Sequence, residues 1–236
     1  MEPIPFFEDD YLRHDLKRGT LFNRSGTKMC YMPSEMVTAL VAVLREETGD
    51  AWTAVMRRVG RLWGRRVAKR SAKEFSEFYQ RPLHDLPAKE LSVLVEGFFR
   101  YSGWGLLTLD FSHARHGFIT ARLDNSAFVE VVGASDAPVD SIVAGLLAEF
   151  FAQVSERPDL DCIETECASM GAPACRFIVG IAARIHPVER MRAARSTHDE
   201  IISELCPEEN VETRDEFDTQ PLDSRTVDRI GPLGRR

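Results

Sequence analysis

The chain has 236 residues, 44% of them hydrophobic and 28% charged, with a formal net charge of −7. This is the composition of a globular protein with enough residues for a hydrophobic core. It lacks both an apolar run of about 20 residues that would span a bilayer and, in "MEPIPFFEDDYLRHDLKRG", the pattern of a signal peptide. A cytoplasmic location is therefore expected, and the acidic balance argues against general nucleic-acid binding.

In chain order, "GTLFN" and "TKMCYM" pair as a hairpin across "RSG". Pro33 and Ser34 start a helix that Gly49 stops, with a stripe of Met36, Leu40, Val43 and Leu44. "DAWTAVMRRVGRLWGRRVAKRSAKEF" is a longer helix whose apolar face is Val55, Val59, Leu62, Trp63 and Val67. "PAKELSVLVEGFFRYSG" gives a third, carrying Leu91, Leu94, Val95, Phe98 and Phe99. The period then changes: "WGLLTLDFS" and "HGFITARLD" alternate as strands around Ala114–Arg115. "PVDSIVAGLLAEFFAQVSE" is a fourth helix, and "LDCIETEC" and "ACRFIVGIAARI" form a strand pair around "ASMGAP". Helices followed by antiparallel strands, interrupted by one helix, predict an α+β fold.

Residues 1–186 read as one domain. Residues 187–206 read as one amphipathic helical extension whose apolar residues are Val188, Met191, Ile201, Ile202 and Leu205. Residues 207–236 have too few apolar side chains to offset the entropy of ordering and are expected to be disordered.

Three of the five cysteines fall in "CIETECASMGAPAC". In a reducing compartment such clusters point to metal ligands or reactive thiols rather than disulfides. A hairpin closed by a Gly/Pro turn brings Cys167 and Cys175 face to face, with Glu164 one step back. Thiolate and carboxylate are ordinary zinc ligands, and a structural site takes four. The spacing is looser than paired CxxC knuckles, so two cysteines buried as small hydrophobes remain the other reading.

The stretch "ETECASMGAPACRF", with the upstream helix "PVDSIVAGLLAEFF", resembles the 4-vinyl reductase domain family over roughly residues 20–182. Members include bacteriochlorophyll-pathway proteins and the sensor domains of phenol- and xylene-responsive transcription activators. Subunits of the TRAPP tethering complex share the fold. The resemblance implies an α+β homodimer, N-terminal helices packed on an antiparallel sheet. It also implies a structural zinc held by a cysteine on the upstream helix, then a glutamate and two cysteines. The last three correspond to Glu164, Cys167 and Cys175. At the first position this chain has Asp140, itself a competent zinc ligand; Cys162, on the same strand face as Glu164, is the alternative.

The family reading of the central aromatics is an apolar ligand cavity between helices and sheet, for which Phe98, Trp104 and Phe150 are the candidate lining; the other reading is plain core. Residues 56–73 hold eight basic residues and no acid. Arg57, Arg58, Arg61, Arg65 and Lys69 are expected to face outward, toward solvent, an acidic partner or the acidic tail. Gly60 and Gly64, one turn apart, call for a closely approaching helix, a dimer contact being one way to supply it.

No nucleophile elbow, P-loop or dinucleotide fingerprint is present. The expected function is a stand-alone binding module for a hydrophobic small molecule or a partner protein. An enzyme or accessory protein of tetrapyrrole vinyl reduction and a TRAPP-like scaffold are the alternatives.

Overall fold

A computed structural model describes residues 6–7 and 11–206. The expected disorder of 207–236 lies outside the described residues.

Three short strands open the chain: β1 (Leu12–Asp15), β2 (Thr20–Asn23) and β3 (Lys28–Met29), in the order β1-β2-β3. This small sheet is tied to the next helices through buried Glu74, whose Oε1 accepts from Asn23 Nδ2 at 3.0 Å and Thr27 Oγ1 at 2.6 Å. Helices α1 (Ser34–Thr48), α2 (Trp52–Tyr79) and α3 (Ala88–Tyr101) follow. The main sheet is antiparallel, in the order β4-β5-β7-β6: β4 (Leu106–Asp110), β5 (Phe118–Asp124), β6 (Leu160–Glu166) and β7 (Cys175–Ile181). Between β5 and β6 come α4 (Ala127–Val132), capped by the Ser126 hydroxyl, and α5 (Ser141–Val154). The α+β architecture is as the sequence predicts.

The most apolar helix, α5, is buried on nearly every side, because it is the middle layer between α2 and the inner face of the sheet. Strand alternation builds that inner face from Leu107, Leu109, Ile119, Ala121, Leu123, Phe177 and Val179. The crossing of α2 and α5 answers the demand made by the paired glycines. A Cβ on Gly60 or Gly64 would run into the backbone of Ile142 or Leu146, and one on Gly145 into the carbonyl of Arg57. The approaching helix belongs to the same chain.

This contact corrects two expectations. The buried face of α2 is Trp52, Met56, Gly60, Gly64, Val67, Ala68, Ser71 and Phe75, while Val59 and Leu62 are exposed. Backbone-to-backbone packing at glycine, rather than side-chain hydrophobicity, decides which face goes in. The arginines do not all point to solvent either. Arg57 and Arg61 both donate to Asp161 Oδ1 at 2.6 Å, and Arg65 Nε donates to Glu149 Oε1 at 2.8 Å. On α1, Val37 and Val41 are buried, whereas Met36, Leu40 and Val43 are exposed.

The outer face of the sheet is half covered. Phe118, Ile163 and Ile178 pack against Ile185, Val188, Ile201 and Leu205 from α6 (Ala182–Ile185), α7 (Pro187–Ala193) and α8 (His198–Leu205). The single helix expected over 187–206 is broken. Arg195 takes a left-handed conformation (φ 64°), and Thr197 with Glu200 forms a capping box that starts α8 afresh.

Candidate metal centre and apolar cavity

β6 and β7 are joined by a tight 3-10 turn, Ala168–Met170, closed by Gly171 at φ 94°, where an L side chain is disfavoured. The turn sets Cys167 Sγ 3.8 Å from Cys175 Sγ, both of them buried thiols. Glu164, on the strand leading in, completes a group whose ligand atoms all lie within 4.8 Å of one another. A bulge between Glu164 and Glu166 adjusts the register where the strand enters the turn.

Asp140 precedes the first turn of α5, and α5 carries it onto this group. Its backbone N–H donates to Glu164 Oε2 at 3.0 Å, its Oδ1 accepts from Ser126 Oγ at 2.7 Å, and its side chain stands beside Cys175. The four residues are at most 3% exposed. Two carboxylate oxygens, Asp140 Oδ2 and Glu164 Oε1, are buried without a hydrogen-bond partner. Cys162 shares the inner strand face but faces core. Burial pushes its thiol up, and it is outside the clustered group.

The electrostatics of the site without a cation are adverse. Burial raises the Asp140 carboxyl to about 6. Burial, with Asp140 and Cys167 alongside, pushes Glu164 well above the carboxylate range. The Cys175 thiol donates to Cys167, which brings Cys167 down to about 5 and raises Cys175. Four acidic groups thus crowd a volume sealed from water, where unpaired charge is costly. The donor set fits a divalent cation. Two thiolates bound to one zinc at about 2.3 Å in tetrahedral geometry stand about 3.8 Å apart, which is the sulfur separation found here. Asp140, Glu164, Cys167 and Cys175 would hold such an ion and fill all four positions, so its contribution would be to fix the hairpin on α5. A polar cleft of about 370 Å³, lined by Thr53, Arg57, Ser141 and Arg192 among others, reaches Glu164 and gives a path for exchange.

At the opposite end of α5, about 20 Å away along a 14-residue helix, lies an apolar cavity of about 60 Å³. Phe111, Phe118, Ile119, Phe151, Val154 and Val179 line most of it. Ser155, its one hydroxyl, donates to the Phe151 carbonyl at 2.6 Å. Phe98, Trp104 and Phe150 do not line this cavity. Phe98 and Trp104 join Trp63 and Phe128 in a ring cluster with centroids 4.8–5.9 Å apart, and Phe150 packs edge-on against Phe151. The ring that reaches the cavity is the neighbour of the one expected. Hydrophobicity does not separate Phe150 from Phe151, since both are buried.

Residues 119–181 match the family model of the 4-vinyl reductase domain, the family of the resemblance above. No curated protein matches the chain. Among solved structures, the phenol-responsive sensory domain of the transcription activator PoxR, bound to phenol, is similar with a TM-score of 0.59 and 18% identity, over 79% of this chain and 92% of that one. A vinyl-4-reductase family protein from Methanocaldococcus jannaschii gives a TM-score of 0.41 and 17% identity, over 66% and 83%. Trafficking protein particle complex subunit 3 from Naegleria fowleri, covalently bound to palmitic acid, gives 0.47 and 14%, over 63% and 94%.

Proposed function

We propose that this chain, which carries a 4-vinyl reductase domain over residues 119–181, is a binding module for a small apolar molecule, built around a structural zinc. The observation that carries the reading is the cavity at the end of α5, whose lining is apolar and whose one hydroxyl is committed to the backbone. Such a pocket binds; it has no acid, base or nucleophile with which to react. The likeness in fold to a phenol-responsive sensory domain supports a sensor or carrier role.

At about 60 Å³ the cavity is smaller than the roughly 150 Å³ that accommodates benzene. An aromatic guest therefore enters by rotation of Phe111 and Phe151, and a tetrapyrrole macrocycle is far too large. This counts against the vinyl-reduction alternative, which would also need a separate hydride donor. The zinc reading draws on the unpartnered oxygens of Asp140 and Glu164. All five cysteines are thiols, which suits a cytoplasmic location, and among the described residues no helix is long and apolar enough to cross a membrane. The exposed Met36, Leu40 and Val43 on α1 suit a homodimer contact through the N-terminal helices.

Thermal denaturation with phenol, toluene and short alkanols tests the reading. A guest that binds only the folded state raises Tm by mass action, and Phe151→Trp, which fills the cavity, should abolish that rise. A wild-type Tm unmoved by every compound sinks the ligand reading and leaves protein docking, the scaffold alternative.

A further inference from the structure

Where α8 ends, basic groups converge. The turn between β4 and β5 carries His113, Arg115 and His116, and α6 carries Arg184. Arg115 Nε donates to His116 Nε2 at 3.3 Å, Arg184 Nε donates to the His116 carbonyl at 3.3 Å, and the His113 and His116 ring centroids are 6.4 Å apart. Burial holds His116 below the ordinary imidazole range, and Arg115, His113 and Arg184 add to the effect. The charged groups acting on this ring are all bases, so the corner is a region of positive potential.

The chain leaves the described structure inside that corner. Arg184 donates to the carbonyl of Leu205, the last residue of α8, and Cys206 Sγ lies 3.7 Å from His113 Nδ1. The residues that follow, "EENVETRDEFDTQPLD" (208–223), hold seven acids and one base. Glu208 and Glu209 cannot be more than about 7–11 Å from Cys206 even in a fully extended chain. That is on the order of the Debye length at physiological salt. The other basic surface, on α2, has turned Arg57, Arg61 and Arg65 toward Asp161 and Glu149.

We propose that the acidic segment 208–223 seats on the corner formed by His113, Arg115, His116 and Arg184. Ala114 and Gly117, which flank Arg115 and His116, line the apolar cavity, so the seated segment lies across its entrance. The seating is independent of what the cavity holds; only its effect on ligand entry rests on the reading above.

Amide hydrogen exchange of the full chain tests the proposal. At about 0.02 M salt, where charges act over roughly 20 Å, exchange in 208–216 should be slowed on the order of tenfold relative to an unstructured chain. At about 0.5 M salt, with screening at about 4 Å, the slowing should vanish. Arg115→Glu should abolish it at low salt while protection of β5 stays intact, and adding Glu208→Arg and Glu209→Arg to that variant should restore it. Unstructured-chain exchange in the wild type at low salt would overturn the proposal. So would slowing that neither salt nor Arg115→Glu diminishes. A failed ligand screen would leave all of these readouts unchanged.

Discussion

Asp140 brings a carboxylate to a place where the family resemblance expects a thiolate, and α5 sets it against Cys175 and Glu164. Protein purified without a chelating column should contain about one zinc per chain by elemental analysis, as a four-ligand structural site requires. Asp140→Ala should lose the ion on dialysis against chelator, and Cys162→Ala should retain it, since Cys162 lies outside the clustered group. Cys175→Ala should destabilise the fold by about 3–5 kcal/mol, the range for breaking a buried charged set. A second residue-scale prediction concerns His198, whose Nδ1 lies 2.7 Å from Thr165 Oγ1. Burial first, then Arg176, lowers its pKa to about 4, against about 6.5 in an unfolded chain. Between those values the unfolded state binds the extra proton, so stability rises with pH there. The ring's contribution is complete above about pH 6.5 and falls by about 3 kcal/mol as pH drops to 4. Urea titrations of wild type and His198→Gln should therefore diverge across that window, with the variant losing less.

At the scale of elements, the α2–α5 crossing makes a counter-intuitive prediction. Alanine is a better helix former than glycine by about 1 kcal/mol, yet Gly64→Ala should destabilise by about 2–3 kcal/mol because its Cβ meets the backbone of Leu146. Chemical denaturation measures the sign directly; a gain in stability would mean that the helices part at no cost. The crossing also shows what the sequence could reveal. The periods of α1, α2, α3 and α5 and the alternation of β4 to β7 are visible because burial of large apolar groups produces them. The buried face of α2 is not, because Gly60 and Gly64 are buried for their smallness and leave no hydrophobic signal. The break between α7 and α8 has a signal, since Thr197 and Glu200 stand at capping-box spacing. Three donors of the metal group were legible because one short turn joins the strands that carry them. Asp140 needed the family resemblance, since no local pattern links it to the hairpin. The cavity was legible only as a surplus of aromatics, and which rings face it depends on helix rotation.

At the scale of the whole molecule, the body offers an unpartnered apolar stripe on α1. Sedimentation equilibrium at tens of micromolar should give a dimer mass, and Leu40→Glu should give a monomer mass with Tm unchanged. A monomeric wild type would remove the dimer from the proposal. The metal group and the helix crossing also differ in how far along the chain their parts are separated. Glu164, Cys167 and Cys175 lie in one hairpin, whereas Gly60 meets Ile142 from about 80 positions away, a long-range closure of the kind that slows folding. Assembly should then begin at the hairpin, where ion capture is local, continue with α5 through Asp140, and end when α2 docks on α5. Refolding in the presence of zinc should accordingly outpace refolding in chelator, and Gly64→Ala should mainly accelerate unfolding, since its contact forms last.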